Sequence, residues 1–220
     1  MRYILGLTLL PLLAAAAVPA ADEKPNRAAA EFRELGGQAT FEERPVLVTV
    51  DMHHAPIGDK DLELLEGLST LETLDLSYTR VTDAGLKHLR GLKELKRLSL
   101  LGTKVTDAGL QEIAGLTALE NLFLAETAVT DRGLEHLRKL TRLESLELDH
   151  TKVDGAGLAS LADLSGLRRL VLNHTPIGDD GLKHLESLRK LQDIDLFKTK
   201  VTSEGTERLQ KALPTTRISR

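Results

Sequence analysis

The chain has 220 residues, 46 of them leucine, with neither cysteine nor tryptophan and only 3% aromatic residues. Its 41% hydrophobic and 28% charged content is that of a folded protein and not of a disordered one. The lack of cysteine excludes disulfides, thiol catalysis and cysteine-based zinc sites, and a net charge of −4 argues against a nucleic-acid binder.

At the N-terminus, Arg2 precedes an uncharged, mostly apolar run from Tyr3 to Val18, and Val18-Pro19-Ala20 offers small residues for cleavage. Residues 1–20 therefore read as a signal peptide, with a mature chain from Ala21. The run is shorter than the roughly 20 residues that span a bilayer, so no stable membrane insertion is expected after cleavage. The protein is expected to be exported: periplasmic, at the cell surface or secreted. Residues 21–30, polar and alanine-rich with Pro25, read as a linker. Residues 31–46 read as an N-terminal cap, opening on a helical EFRELGG in which Phe32 and Leu35 are three apart and Gly36-Gly37 stops the helix.

From Ala55 the chain aligns without a gap in rows of 24. Full rows start at Ala55, Thr79, Thr103, Thr127, Thr151 and Thr175, and a shorter seventh starts at Thr199. The third row, TKVTDAGLQEIAGLTALENLFLAE, shows the pattern. Its end has the alternation of a short strand, and its middle has an apolar residue at every third position, as in a short helix on a curved surface. Thr82-Asp83 and its equivalents open that helix with a capping hydroxyl and an anion. Gly85, Gly109, Gly133, Gly157, Gly181 and Gly205 recur at one position, where backbone crowding is expected to leave no room for a Cβ. Leu47, Val50 and Met52 place one more strand upstream.

The segment L-x-x-L-x-L-x-x-T-x-V resembles the strand signature of the leucine-rich repeat, and the 24-residue length lies in that family's range. The V-T-D-x-G-L continuation is similar to the cysteine-containing, ribonuclease-inhibitor-like subclass and its bacterial exported relatives. Where the family usually has Asn or Cys this chain has Thr79, Thr103, Thr127, Thr151, Thr175 and Thr199, whose hydroxyls can still bond to nearby backbone. The resemblance implies an α/β fold: a right-handed horseshoe solenoid with a parallel concave sheet and short convex helices. The repeats would occupy 47–198, and 199–220 would form a truncated terminal repeat and C-terminal cap. Eight strands about 4.8 Å apart would make an arc of roughly 34 Å.

In each strand the third, fifth and seventh residues of the signature point away from the leucines and form the concave face. The array contains only three aromatic residues, none at a leucine position: Phe123 and Phe197 lie on that face and Tyr78 at its rim. With Leu101, Arg97, Arg169 and Val171 they form the expected partner-binding patch, since aromatic and arginine residues are typical of binding hot spots. No catalytic motif is present, so an enzyme is not expected. No cofactor is implied, and a monomer is expected. His88, His136 and His184 recur two rows apart, about 10 Å from each other, too far to share a metal. His150 and His174, on adjacent rows, are the one pair able to hold a divalent metal; the favoured reading is a polar rim without one. The reading is thus an exported, non-enzymatic module that binds a protein on its concave sheet. An architectural envelope protein with no defined ligand is the alternative.

Overall fold

The structure, a computed structural model, describes residues 23–42 and 46–220. The signal-peptide reading lies outside the described residues. Nine strands form one sheet in sequence order: β1 (Gln38–Glu42), β2 (Val46–Asp51), β3 (Thr73–Asp75), β4 (Arg97–Ser99), β5 (Asn121–Phe123), β6 (Ser145–Glu147), β7 (Arg169–Val171), β8 (Asp193–Asp195) and β9 (Arg217–Ser219). From β2 onward every pairing is parallel, and each residue faces the one 24 positions later. The eight parallel strands, the 24-residue register and the short outer helices are those expected from the sequence.

Each row returns from one strand to the next through a short helix: Asp59–Leu65, α2 (Asp83–Leu86), α3 (Asp107–Ile113), α4 (Asp131–Leu134), Ala156–Leu161, α5 (Asp179–Leu182) and α6 (Ser203–Ala212). The first and fifth are 3-10 helices, and α2, α4 and α5 continue as single 3-10 turns. Three residues per turn suits an apolar residue at every third position. Leu86, Leu89, Leu92 and Leu95 are accordingly all fully buried, and their equivalents in the third to sixth rows are buried too. Between helices and sheet runs one continuous core of leucine, valine and isoleucine.

Thr79, Thr103, Thr127, Thr151 and Thr175 are buried, and each donates its hydroxyl locally, three residues back along the chain: Thr79 Oγ1 to the Leu76 carbonyl at 2.7 Å, and the others to the equivalent carbonyl at 2.6 Å. Neighbouring rows are joined instead by aspartate. Asp107 accepts from the Thr130 backbone N–H at 2.7 Å and from Thr130 Oγ1 at 2.6 Å, and Asp59–Thr82, Asp83–Thr106 and Asp179–Thr202 repeat this pair of bonds. The same threonines accept weakly from the first turn of their helix, as Thr130 does from Arg132 N at 3.3 Å, so the expected capping is present but secondary. The aspartate also explains most of the recurring glycines. A Cβ at Gly85 would lie 2.6 Å from Asp59 Oδ1, and at Gly109, Gly133 and Gly205 it would collide with the preceding row's carboxylate in the same way. The crowding is thus largely by a side chain rather than by backbone.

The N-terminal cap corrects the sequence reading. The supposed linker over 21–30 is largely helix: α1 runs Glu23–Glu34 and buries Ala28, Ala29 and Phe32. Pro25 sits in the first turn, where a missing N–H costs nothing. Apolar cover here comes from alanines, whose small side chains let the helix lie close on β1 and β2. The hairpin partner β1 is antiparallel to β2 and closes that edge of the sheet. At the other end β9 completes the last row, fastened by Thr216 Oγ1 to the Leu191 carbonyl at 2.6 Å and by Arg217 to Asp193 at 2.6 Å.

Candidate binding surface

Side chains alternate between faces along a strand. The central residues Leu74, Leu98, Leu122, Leu146, Leu170 and Ile194 are fully buried, so their neighbours line the concave face. In-register pairing arranges these in rows: Thr73, Arg97, Asn121, Ser145, Arg169 and Asp193 in one, and Asp75, Ser99, Phe123, Glu147, Val171 and Asp195 in the next. The strand exits add Ser77, Leu101, Ala125, Asp149, Asn173 and Phe197.

Arg97 and Phe123 are in contact. The guanidinium lies 4.4 Å from the ring centroid, a cation–π contact between diagonal neighbours on adjacent strands. Phe123 and Leu101 are half-buried, while Phe197 is 53% and Tyr78 39% exposed. Two other expected residues play different parts. Val171 is only 5% exposed, because Arg169 reaches across it to Glu147 (3.9 Å) and Asp195 (3.2 Å), its two neighbours in register. Val171 is therefore floor, not contact surface, and Arg169 is occupied by carboxylates of its own face. Arg217 is likewise held by Asp193. Burial, reinforced by the Asp149 charge and opposed by Arg169 and Arg97, pushes the Glu147 carboxyl above its ordinary pKa. The C-terminal half of the face is thus acidic in balance, with its arginines already engaged.

Toward the N-terminal end the face is polar and internally satisfied. Asp75 accepts from the Ser77 hydroxyl at 2.5 Å and from its backbone N–H at 2.8 Å, and Ser77 shares a 2.6 Å hydrogen bond with Ser99.

A feature that the sequence reading missed borders this face. The residue leaving each strand turn has positive φ: His54, Tyr78, Glu126, His150, His174 and Lys198 all lie between 56° and 59°, and Gly102 is at 65°. The left-handed turn throws these side chains outward along one rim. His54 stacks on Tyr78 at 4.8 Å, with His53 edge-on to both. The Tyr78 ring then lies where a Cβ of residue 102 would be and reaches Glu126 Oε1 at 3.3 Å. Further along, His150 stacks on His174 at 4.0 Å, His174 meets Phe197 edge-on at 5.7 Å, and Lys198 lies 5.4 Å from the Phe197 centroid. The readable signal was a position that never holds a β-branched residue, as a left-handed conformation requires.

The His150–His174 pair does not have the geometry of a metal site. Its planes are only 15° apart, and in-plane lone pairs on near-parallel rings cannot converge on one ion. Among the described residues no group of three or more His, Asp or Glu is placed to hold a metal. Desolvation, then the neighbouring His150 and Lys198, lowers the His174 pKa, against a smaller opposing effect of Asp149. Among the same residues no helix is long and apolar enough to cross a membrane.

Residues 67–89 and 167–185 match the family model described as leucine-rich repeat. No curated protein matches in sequence. Among solved structures, the chain is similar to internalin C2 of Listeria monocytogenes, with TM-score 0.65 and 22% identity over 91% of this chain and 81% of that one. It is also similar to a leucine-rich-repeat protein of Leptospira interrogans, with TM-score 0.61 and 26% identity over 73% of this chain but only 39% of the other. A second Listeria monocytogenes internalin, inlF, gives TM-score 0.54 and 21% identity over 72% of this chain and 50% of its own. The chain therefore folds as a leucine-rich-repeat solenoid, and two of its segments carry the leucine-rich-repeat signature.

Proposed function

We propose that the protein is an exported, non-enzymatic protein-interaction module whose partner lies along the concave sheet. The observation that carries this is the placing of the array's three aromatic rings. From Ala55 onward the hydrophobic core is entirely aliphatic, so Phe123, Phe197 and Tyr78 contribute nothing that the core requires, and two of them are among the few exposed large hydrophobic side chains. Arg97 over Phe123 at one end and Phe197 with Lys198 at the other flank a stretch in which Glu147, Asp149, Asp193 and Asp195 outnumber Arg169 and Arg217. A partner that presents basic side chains to that stretch, with an apolar contact at each end, is complementary to it. The bacterial, internalin-like architecture of the structural neighbours accords with a protein exported for interaction. Arg2 and the apolar run to Val18 carry the export reading.

The test is affinity capture of the chain from 21 to 220 alongside an Arg97→Glu/Phe123→Ala variant. A partner captured by the wild type and lost by the variant is the expected result. Equal retention by both would place the interface elsewhere, and the absence of any partner would favour an architectural role.

A further inference from the structure

The rows meet at six junctions, and five of them share a backbone bond on the flank between strand exit and helix. There the second residue of a row gives its N–H to the third carbonyl of the row before: Arg80 to Ile57, Lys104 to Val81, Ala128 to Val105, Lys152 to Val129 and Lys200 to Ile177, at 2.8–3.1 Å. Beside this bond stands the aspartate–threonine pair, complete at four junctions. At the fourth junction it is reduced to Asp131 accepting from the backbone N–H groups of Asp154, Gly155 and Gly157.

The junction between the fifth and sixth rows has neither. Pro176 stands where the donor should be and has no N–H. Gly155 replaces the aspartate and Gly178 the threonine. What fills the space is close backbone: a Cβ on Gly181 would come within 2.9 Å of Gly155 Cα, and Gly155 itself is at φ 122°. Beside that contact a cleft of about 510 Å³ opens on the flank, lined by Asp154, Gly155, Gly178, Asp179, His184 and Lys200. The sixth row also begins T-P-I-G-D, nearly repeating the A-P-I-G-D of the first row, which has no aspartate-bearing row before it. Thus the sixth row has the sequence of a starting row inside the array.

We infer that the solenoid consists of two cooperative blocks, residues 55–174 and 175–220, which open against each other at this cleft. The concave side of the same junction remains tied: β7 pairs with β8, Arg169 reaches Asp195 at 3.2 Å, and the Phe197 N–H donates to Asn173 Oδ1 at 2.7 Å. Partial opening is therefore one-sided, with the β7–β8 ladder as hinge, and alters the curvature of the concave face; complete opening parts that ladder and unfolds 175–220 as one unit. The inference does not depend on what that face binds. Three hydrogen bonds are missing, each worth roughly fivefold in an opening equilibrium, so the difference is on the order of a hundredfold.

Hydrogen exchange followed by mass spectrometry on the full chain, over a urea series, reads this directly. Residues 175–220 should exchange through one shared opening on the order of a hundredfold more populated than that of 79–150, with a step at 174/175. Simple fraying would instead give a gradient rising toward residue 220. Pro176→Arg restores one donor and should raise protection of 175–220 about fivefold. Ala128→Pro with Asp107→Gly and Thr130→Gly should install a second step between the third and fourth rows. Uniform exchange, a smooth terminal gradient, or a step that Pro176→Arg leaves unmoved would each overturn the two-block reading.

Discussion

Replacing a helical glycine by alanine ordinarily stabilises a protein by up to about 1 kcal/mol. At Gly133 the sign should reverse. The residue lies in α4 at an ordinary helical position, buried, and its added Cβ would run into Asp107 Oδ1. That oxygen is not the free end of a flexible chain, because the carboxylate accepts from both the backbone and the hydroxyl of Thr130. Accommodating the methyl means displacing the carboxylate and weakening two bonds. Hydrogen bonds to a charged group contribute about 1.5–3 kcal/mol each when well shielded, and less at this half-buried flank. After the helix-propensity gain is subtracted, Gly133→Ala should destabilise by about 1–3 kcal/mol. Asp107→Ala removes the obstruction along with the bonds, so in that background Gly133→Ala should become neutral or stabilising by up to about 1 kcal/mol. Urea denaturation of the four chains of this cycle measures the coupling. A stabilising Gly133→Ala in the wild type, or two additive effects, would refute the assignment of the carboxylate as the reason for the glycine.

Thr127→Val keeps the shape of a buried side chain and deletes its 2.6 Å bond to the Leu124 carbonyl; a loss of about 1–2 kcal/mol is expected in the same denaturation assay, with an unchanged m-value. Acid stability provides another check. Asp131 is held below its ordinary pKa although burial acts the other way, because three backbone N–H groups outweigh it, and Asp179 is lowered chiefly by its bonds from Thr202. Lowered carboxylates stabilise the fold above their unfolded pKa and lose that contribution as pH falls through the folded value, so stability should decline below about pH 4. Asp131→Asn with Asp179→Asn should flatten that decline in melts between pH 5 and pH 2, and an unaltered slope would show that other groups set it.

The aliphatic positions were readable because a 24-residue register demands the same residue at the same depth in every row. Phe123, Phe197 and Tyr78 stood out for the complementary reason that they break that pattern without occupying a core position. What escaped the sequence depended on the length of neighbouring side chains. Val171 is turned outward by strand alternation, yet Arg169 covers it to reach two carboxylates. Alternation specifies direction but not what lies on top. The helix over Glu23–Glu34 was hidden by its alanines, which bury little area and so leave a faint periodic signal. The role of the aspartates was obscured for another reason: their bonds run to a threonine 23 residues away, and within one row they look like ordinary first-turn anions. The threonine at the family's Asn or Cys position is legible in the sequence, but its bond closes locally, on the carbonyl three residues before it.

The aspartate, threonine and glycine that join the rows have a bearing on how such a chain changes length. The flanks of the second and third rows offer their neighbours the same chemistry on both sides. A tandem copy of 103–126 would therefore find its donors, acceptors and spare volume waiting at either boundary. Growth there is possible in whole steps of one strand, about 4.8 Å each, with no compensating substitution. A copy of 175–198 is different: it would carry the proline and glycine of its leading edge with it, and every duplicate would add another point of flexure. Within one chain, then, some segments are suited to extending the reach of the solenoid and one is suited to articulating it.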